Sequence, residues 1–207
     1  MFTGIVEGAA AVISNEQRGD VWRLTLDLGA FANDAKIGES VACAGVCLTI
    51  VHIDGTKIGF DMIQETVDRT NLGSCTPGDR INIERSMRFG DRVGGHVVSG
   101  HVMGTGSLIE VTSKGESSVI RISLDEALKP YIFSKGFVAL DGCSLTIVDV
   151  TDSDFSIHLI PETMQITTFG TKQVGDRINI ECDSTTVTIV ETIKKLYATQ
   201  QLPGTSR

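Results

Sequence analysis

Residues 40–51 read SVACAGVCLTIV, and residues 137–148 read FVALDGCSLTIV. From this pair the match runs outward at a constant offset of 97. Residues 41–86 lie over residues 138–183 without a gap, and 19 of the 46 positions are identical. Within that span IQETVDRTNLG (63–73) stands over IPETMQITTFG (160–170), and GDRINIE occurs twice, at 78–84 and 175–181. A duplication of about a hundred residues means two domains of one kind rather than a solenoid of short repeats. If each domain binds something, the chain carries two similar, non-identical sites. With a three-residue gap the repeat starts also align, Met1-Phe2-Thr3-Gly4 over His101-Val102-Met103-Gly104.

Strand patterns fill both copies. Trp22, Leu24, Leu26 and Leu28 alternate with polar or smaller neighbours, as do Ile120-Ile122-Leu124 and Phe155-Ile157-Leu159. Asp54-Gly55, Pro77-Gly78-Asp79 and Gly175-Asp176 punctuate them as turns. Helical signals are short: residues 65–71, their copy at 162–168 (opened by Pro161) and a turn at 125–132. The chain is therefore expected to be all-β, with each repeat a small antiparallel barrel of about six strands. Closure removes the edges that short strands would otherwise expose. Beyond the second repeat, residues 186–200 predict a helix with Val190, Ile193, Leu196 and Tyr197 on one face, closed by Pro203-Gly204. That stripe packs either on its own barrel or against other copies at an oligomer axis. The expected division is a first barrel at 1–97, a second at 98–185 and a terminal helix at 186–203.

Composition removes several function classes. The net charge is −8 over 207 residues with no basic cluster, and aromatic residues are few, which argues against a nucleic-acid surface. No apolar run is long enough to span a bilayer. The start, MFTGIVE, lacks the charged and apolar regions of a signal peptide, so the cytoplasm is the expected compartment. Five cysteines (Cys43, Cys47, Cys75, Cys143, Cys182) without a CxxC pair read as reduced thiols rather than a disulfide frame or zinc site.

The segment Gly94-Gly95-His96-Val97-Val98-Ser99-Gly100-His101 joins the repeats. His96 and His101 are five residues apart, so an unbroken strand would place them on opposite faces. No third ligand has useful spacing, so the preferred reading is one structural histidine and one lining a pocket. Thr49 and Thr146 recur in the same strand and could face a polyol or a heterocycle, although threonine also simply suits strands. Glu65 and Glu162 open short helices, where a carboxylate offsets the helix dipole. The GDRINIE copies read as turn plus strand, without chemistry. The copies differ at Cys47/Ser144, Gly38/Lys135 and Ser86/Asp183. Polar exchanges of this kind fit two sites of common shape and different roles.

MFTGIVEG, GVCLT and GCSLT, both ET helices, GGHVVSGH and LIPET together resemble the riboflavin synthase family, the lumazine-binding alpha-chain type, over nearly the whole chain. The resemblance implies two six-stranded Greek-key barrels with short helices and a C-terminal α-helix, assembled as a homotrimer around that helix. It implies a cytoplasmic transferase of riboflavin biosynthesis that takes two molecules of 6,7-dimethyl-8-ribityllumazine. One gives a four-carbon unit to the other, yielding riboflavin and 5-amino-6-ribitylamino-uracil, without metal or organic cofactor. The reaction site would lie between the N-terminal barrel of one subunit and the C-terminal barrel of its neighbour. The first site is implied to use Gly4, Ile5, Val6, Cys47, Leu48, Thr49, Ile63, Gln64, Glu65, Thr66, Val67 and Asp68. The second is implied to use His101, Val102, Met103, Lys135, Ser144, Leu145, Thr146, Ile160, Pro161, Glu162, Thr163, Met164 and Gln165. Thr49, Thr146 and Lys135 would hold ribityl hydroxyls, and the helix starts would offer backbone groups to the pyrimidine edge.

The chemistry needs a base for a 7-methyl proton and a nucleophile or water for the acceptor ring. His101 with Thr3 and Ser144 are the candidates for proton movement, and Cys47 is a polar or nucleophilic contact. Asp183 is expected to orient Ser144 or a water, and Phe2 and Thr3 to sit near the reacting rings. Many family members read NGVCLT and GHVDG where this chain has Ala44 and Met103. The alternative class is a non-catalytic lumazine or flavin carrier of the same fold.

Overall fold

The computed structural model describes residues 1–200. Twelve strands and three α-helices follow in chain order. The first repeat holds β1 (Gly8–Arg18), β2 (Val21–Asp27), β3 (Ser40–Cys43), β4 (Val46–Asp54), β5 (Lys57–Met62), α1 (Gln64–Arg69) and β6 (Arg80–Arg85). The second holds β7 (Gly104–Lys114), β8 (Ser117–Ser123), β9 (Phe137–Leu140), β10 (Cys143–Val150), β11 (Asp154–Leu159), α2 (Pro161–Ile166) and β12 (Arg177–Cys182). The last element is α3 (Ser184–Gln200). Each set of six strands closes into an antiparallel barrel. The order is β1-β2-β5-β4-β3-β6 in the first, and the same circuit recurs in the second as β7-β8-β11-β10-β9-β12.

Alternation sends one face of each strand inward. Leu24, Leu26, Ile58, Phe60, Ile81 and Ile83 are buried in the first barrel, and Ile120, Ile122, Phe155, Ile157, Ile178 and Ile180 in the second. Register breaks at Ile50/His52 in β4 and Ile147/Val150 in β10 supply the bends that closure requires. The predicted turn at 125–132 is a 3₁₀ turn at Lys129–Tyr131.

The barrels are joined face to face by polar side chains from the two GDRINIE copies. Strand alternation turns Asn82 and Asn179 away from their own cores, yet both are buried because the other barrel covers them. The Asn82 amide donates to the Asp141 carbonyl (3.0 Å), and its oxygen accepts from the Thr168 N–H (2.7 Å). Asn179 repeats this with the Ala44 carbonyl (2.8 Å) and the Asn71 N–H (2.7 Å). Only one half carries Asp141, which pairs with Lys172 at 2.9 Å and accepts from Asn71. Asn179→Ala strands the Ala44 carbonyl, the Asn71 N–H and the Asn71 side-chain oxygen at the seam. We expect it to cost about 1–3 kcal/mol for each group left unpaired, read as a lower midpoint in urea unfolding.

The repeat starts do not align as the sequence suggests. Phe2 bridges Val98, with backbone bonds of 2.8 and 3.0 Å in the two directions. Thr3 and Gly4 hydrogen-bond Glu84, and Ser99 and Gly100 hydrogen-bond Glu181, atom for atom. The equivalence is therefore Phe2/Val98, Thr3/Ser99, Gly4/Gly100 and Ile5/His101, an offset of 96 with a one-residue adjustment. His101 stands over Ile5, not over Met1. The sequence alignment of the starts is thus displaced by four residues, a slip that hides easily where few identities anchor the match.

The helix begins at Ser184, two residues earlier than expected, and its predicted closure at Pro203-Gly204 lies outside the described residues. Asp183 is its N-cap, with Oδ2 accepting from the Thr186 N–H and hydroxyl at 2.9 Å. Val187 and Val190 pack on the second barrel, and the Tyr131 hydroxyl donates to Glu191. Ile189, Ile193, Leu196 and Tyr197 remain exposed. The barrel-packing reading of the stripe therefore holds for Val190 alone, while Ile193, Leu196 and Tyr197 do not pack on the barrel. No helix among the described residues is long and apolar enough to cross a membrane.

Candidate functional site

Two short segments leave their own barrels and complete the other. The Gly100 carbonyl accepts the Cys47 N–H at 2.9 Å, and the Gly4 carbonyl accepts the Ser144 N–H at 2.8 Å. Val102 packs on the first core and Val6 belongs to the second. The sequence-based partition is thereby crossed. His101 and Val102 join Cys47, Leu48 and Thr49, whereas Gly4, Ile5 and Val6 join Ser144, Leu145 and Thr146. Both joints depend on glycine. Gly4 and Gly100 have φ of +73° and +83°, and a Cβ on them would lie 2.5 Å from Ser144 Cβ and 2.4 Å from Cys47 Cβ. We expect Gly100→Ala to abolish turnover at low substrate through displacement of Cys47. An unchanged kcat/KM for Gly100→Ala would contradict this joint.

Around each joint the barrel supplies a matching set. In the first, register sets Ile50 opposite Phe60, which brings the Cys47 end of β4 to the Ile63 end of β5. There the half-buried Cys47 and exposed Thr49 neighbour the opening of α1, with Gln64, Glu65 and Asp68 exposed and Thr66 and Val67 half-buried. In the second, Ser144 is half-buried and Thr146, Lys135, Pro161, Glu162 and Gln165 are exposed, with Thr163 and Met164 half-buried. Lys135 is held next to β10 by its N–H bond to the Ile147 carbonyl, with φ of +67°. Ile63 and Ile160 precede the two helices in extended conformation, without a side-chain cap, and both are exposed. Met103 instead starts the second barrel, its N–H bonded to the Ile180 carbonyl.

His96, which the sequence left as either the structural or the pocket-lining histidine, lies against Ser144. Its Nδ1 lies 2.6 Å from Ser144 Oγ, and its ring stacks on Phe137 with centroids 5.2 Å apart. Burial pushes the imidazole below its ordinary value of 6.5, against the pull of Asp183 and Glu181. A buried, neutral imidazole on a hydroxyl can take that hydroxyl's proton. The sequence signal was the Gly94-Gly95 pair, because a Cβ at Gly95 would meet both the Thr3 carbonyl and Ser144. His101 is exposed and attached to the other barrel, so it does not meet Ser144 within one chain. Asp183 caps α3 and is a charge near His96 rather than a shown partner of Ser144.

Phe2 does not face an open site. It is 0% exposed, packed with Ala42, Val98 and Ala139 beneath Cys47. Thr3 is buried too, donating through N–H (2.6 Å) and hydroxyl (2.8 Å) to Glu84. Burial raises the Glu84 carboxyl, while the Thr3 and Gly4 donors pull it down.

The depressed His96 value carries a pH prediction. The unfolded chain binds more protons than the folded one between the folded value and 6.5, so this contribution is intact above 6.5 and is lost as pH falls. His96→Gln is expected to flatten the acid limb of stability in urea unfolding as pH falls below His96's ordinary value of 6.5.

Twin closed barrels of one strand order, each completed by a segment of the other, define a tandem double barrel. The lumazine binding domain family model matches residues 3–86 and 99–183. Riboflavin synthase of Escherichia coli (strain K12) is 40% identical over 211 residues, covering 99% of both chains. That of Chlamydia pneumoniae is 41% identical, covering 96% of this chain and 98% of the other. The chain belongs to the riboflavin synthase family. LumP complexed with 6,7-dimethyl-8-(1'-D-ribityl) lumazine shares the fold at TM-score 0.81 and 22% identity, over 89% of this chain and all of that one.

Proposed function

We propose that this chain is a riboflavin-forming transferase that dismutates two 6,7-dimethyl-8-ribityllumazine molecules into riboflavin and 5-amino-6-ribitylamino-uracil. Full-length identity of 40% to curated riboflavin synthases carries this reading. The doubled site supports it, since two identical substrates need two similar cradles. One is Cys47, Thr49, residues 63–68, His101 and Val102. The other is Ser144, Thr146, Lys135, residues 160–165, Ile5 and Val6. Thr49, Thr146 and Lys135 hold ribityl hydroxyls, and the uncapped helix starts offer N–H groups to the pyrimidine edges.

A base removes a 7-methyl proton from one lumazine, whose ring delocalises the carbanion. A hydroxyl or water adds to the other ring, the carbanion joins it, and eliminations release the products. The Ser144–His96 pair serves the proton and hydroxyl steps, with Cys47 and His101 opposite. Alignment of the two rings supplies much of the acceleration, up to roughly 7–11 kcal/mol.

The working form is a homotrimer, with the first-barrel site of one copy facing the second-barrel site of the next. The exposed stripe Ile189, Ile193, Leu196 and Tyr197 supports helix contacts at its axis. Five free cysteines fit a reducing cytoplasm. We treat residues 1–97, 98–185 and 186–203 as first barrel, second barrel and assembly helix, with residues 98–102 lent to the first barrel. Purified untagged protein should convert the lumazine steadily, seen as riboflavin absorbance. Binding with a spectral shift and no riboflavin would place the chain with the carriers.

A further inference from the structure

Glu84 and Glu181 sit at the same position of the two GDRINIE copies, on β6 and β12, and both side chains are buried. Nothing in the chemistry above uses them. Each carboxylate takes three donors from a segment of irregular backbone. Glu84 accepts from the Thr3 N–H, the Thr3 hydroxyl and the Gly4 N–H. Glu181 accepts from the Ser99 N–H and hydroxyl at 2.7 Å and the Gly100 N–H at 3.0 Å. The hydroxyl so held then receives the next backbone N–H, that of Ile5 (3.3 Å) or His101 (3.1 Å).

The wiring is crosswise. Glu84 belongs to the first barrel, yet the segment it holds delivers the Gly4 carbonyl to Ser144 of the second. Glu181 belongs to the second, yet its segment delivers Gly100 to Cys47 and presents His101 at the first. We propose that Glu84 and Glu181 are reciprocal positioning residues, each setting the geometry of the ligand site on the other barrel. A carboxylate suits the task because it accepts on both oxygens, whereas an amide would turn an N–H₂ toward one of the donors. Burial strengthens this selectivity, since a donor facing a donor out of water has no alternative partner.

The inference rests on the lumazine-site reading for its functional meaning but not for its geometry, and the test separates the two. Cys47 alkylation by iodoacetamide, followed by peptide mass spectrometry, reports the first site without any ligand. In Glu181→Gln the rate at Cys47 should rise at least about fivefold, the change expected when roughly 1 kcal/mol of local order is lost. Glu84→Gln should leave that rate unchanged. Ser99→Ala, which keeps the Glu181 carboxylate, should give a smaller rise in the same direction and stands in if Glu181→Gln does not fold. Equal acceleration by both glutamate variants, or none in either Glu181→Gln or Ser99→Ala, overturns the crosswise assignment. Added riboflavin should protect Cys47 in the unaltered protein. A shifted rate without such protection would uphold the wiring and count against the ligand reading instead.

Discussion

Exchange of His96 for glutamine is expected to lower kcat by about 10²–10⁴-fold, the range in which a positioned acid–base group contributes. Glutamine keeps a hydrogen-bonding group near Ser144 Oγ, 2.6 Å from Nδ1 in the unaltered chain, but cannot take up its proton. The loss should therefore fall on kcat, with KM for the lumazine little changed, because the ring-holding residues are elsewhere. The activity of the unaltered protein should decline on the acid side as His96 takes a proton, below its ordinary value of 6.5. Steady-state riboflavin formation across pH reads both effects. Full turnover in His96→Gln would remove the Ser144–His96 pair from the chemistry and return the base role to His101.

Phe2→Ala has the second large expected effect, on stability rather than on proton transfer. The ring is 0% exposed where the two barrels meet, among Ala42, Val98 and Ala139. Truncation leaves a cavity between small side chains that cannot close over it, at a cost of about 3–5 kcal/mol. Cys47 packs on the same cluster, so activity should fall beyond what unfolding explains. The expected measurements are a lowered urea midpoint and faster Cys47 alkylation at temperatures where the variant is folded. A variant as stable as the unaltered protein would contradict the placement of Phe2 at the seam.

The architecture was legible because its signals are redundant. Alternation in residues 22–28, turn residues at fixed places and a hundred-residue echo all point to paired barrels, and each barrel closes in the same strand order. The proposed rims rest on a matched segment as well, since Cys47 over Ser144 and Thr49 over Thr146 flank or belong to the shared LTIV run. What failed was long-range placement. Strand alternation predicts which face Asn82 and Glu84 occupy but not that a second barrel covers that face. The identity of two outward polar residues in both copies was the available clue. The exchange of segments 3–6 and 99–102 between barrels could not be read at all, because the crossing is made by backbone carbonyls, those of Gly4 and Gly100, which have no sequence signature. The contact between His96 and Ser144 was hidden for a related reason: the two are 48 residues apart, and only the fold brings them together.

Two like sites that process two like molecules in one event must leave their mark in the stoichiometry. The most direct measurement is the product balance of purified protein acting on 6,7-dimethyl-8-ribityllumazine, with substrate, riboflavin and pyrimidine separated and quantified over time. Two lumazines should be consumed for each riboflavin formed, with one 5-amino-6-ribitylamino-uracil released alongside it throughout. Lumazine that binds but is never consumed, or riboflavin formed without the matching pyrimidine, would contradict it.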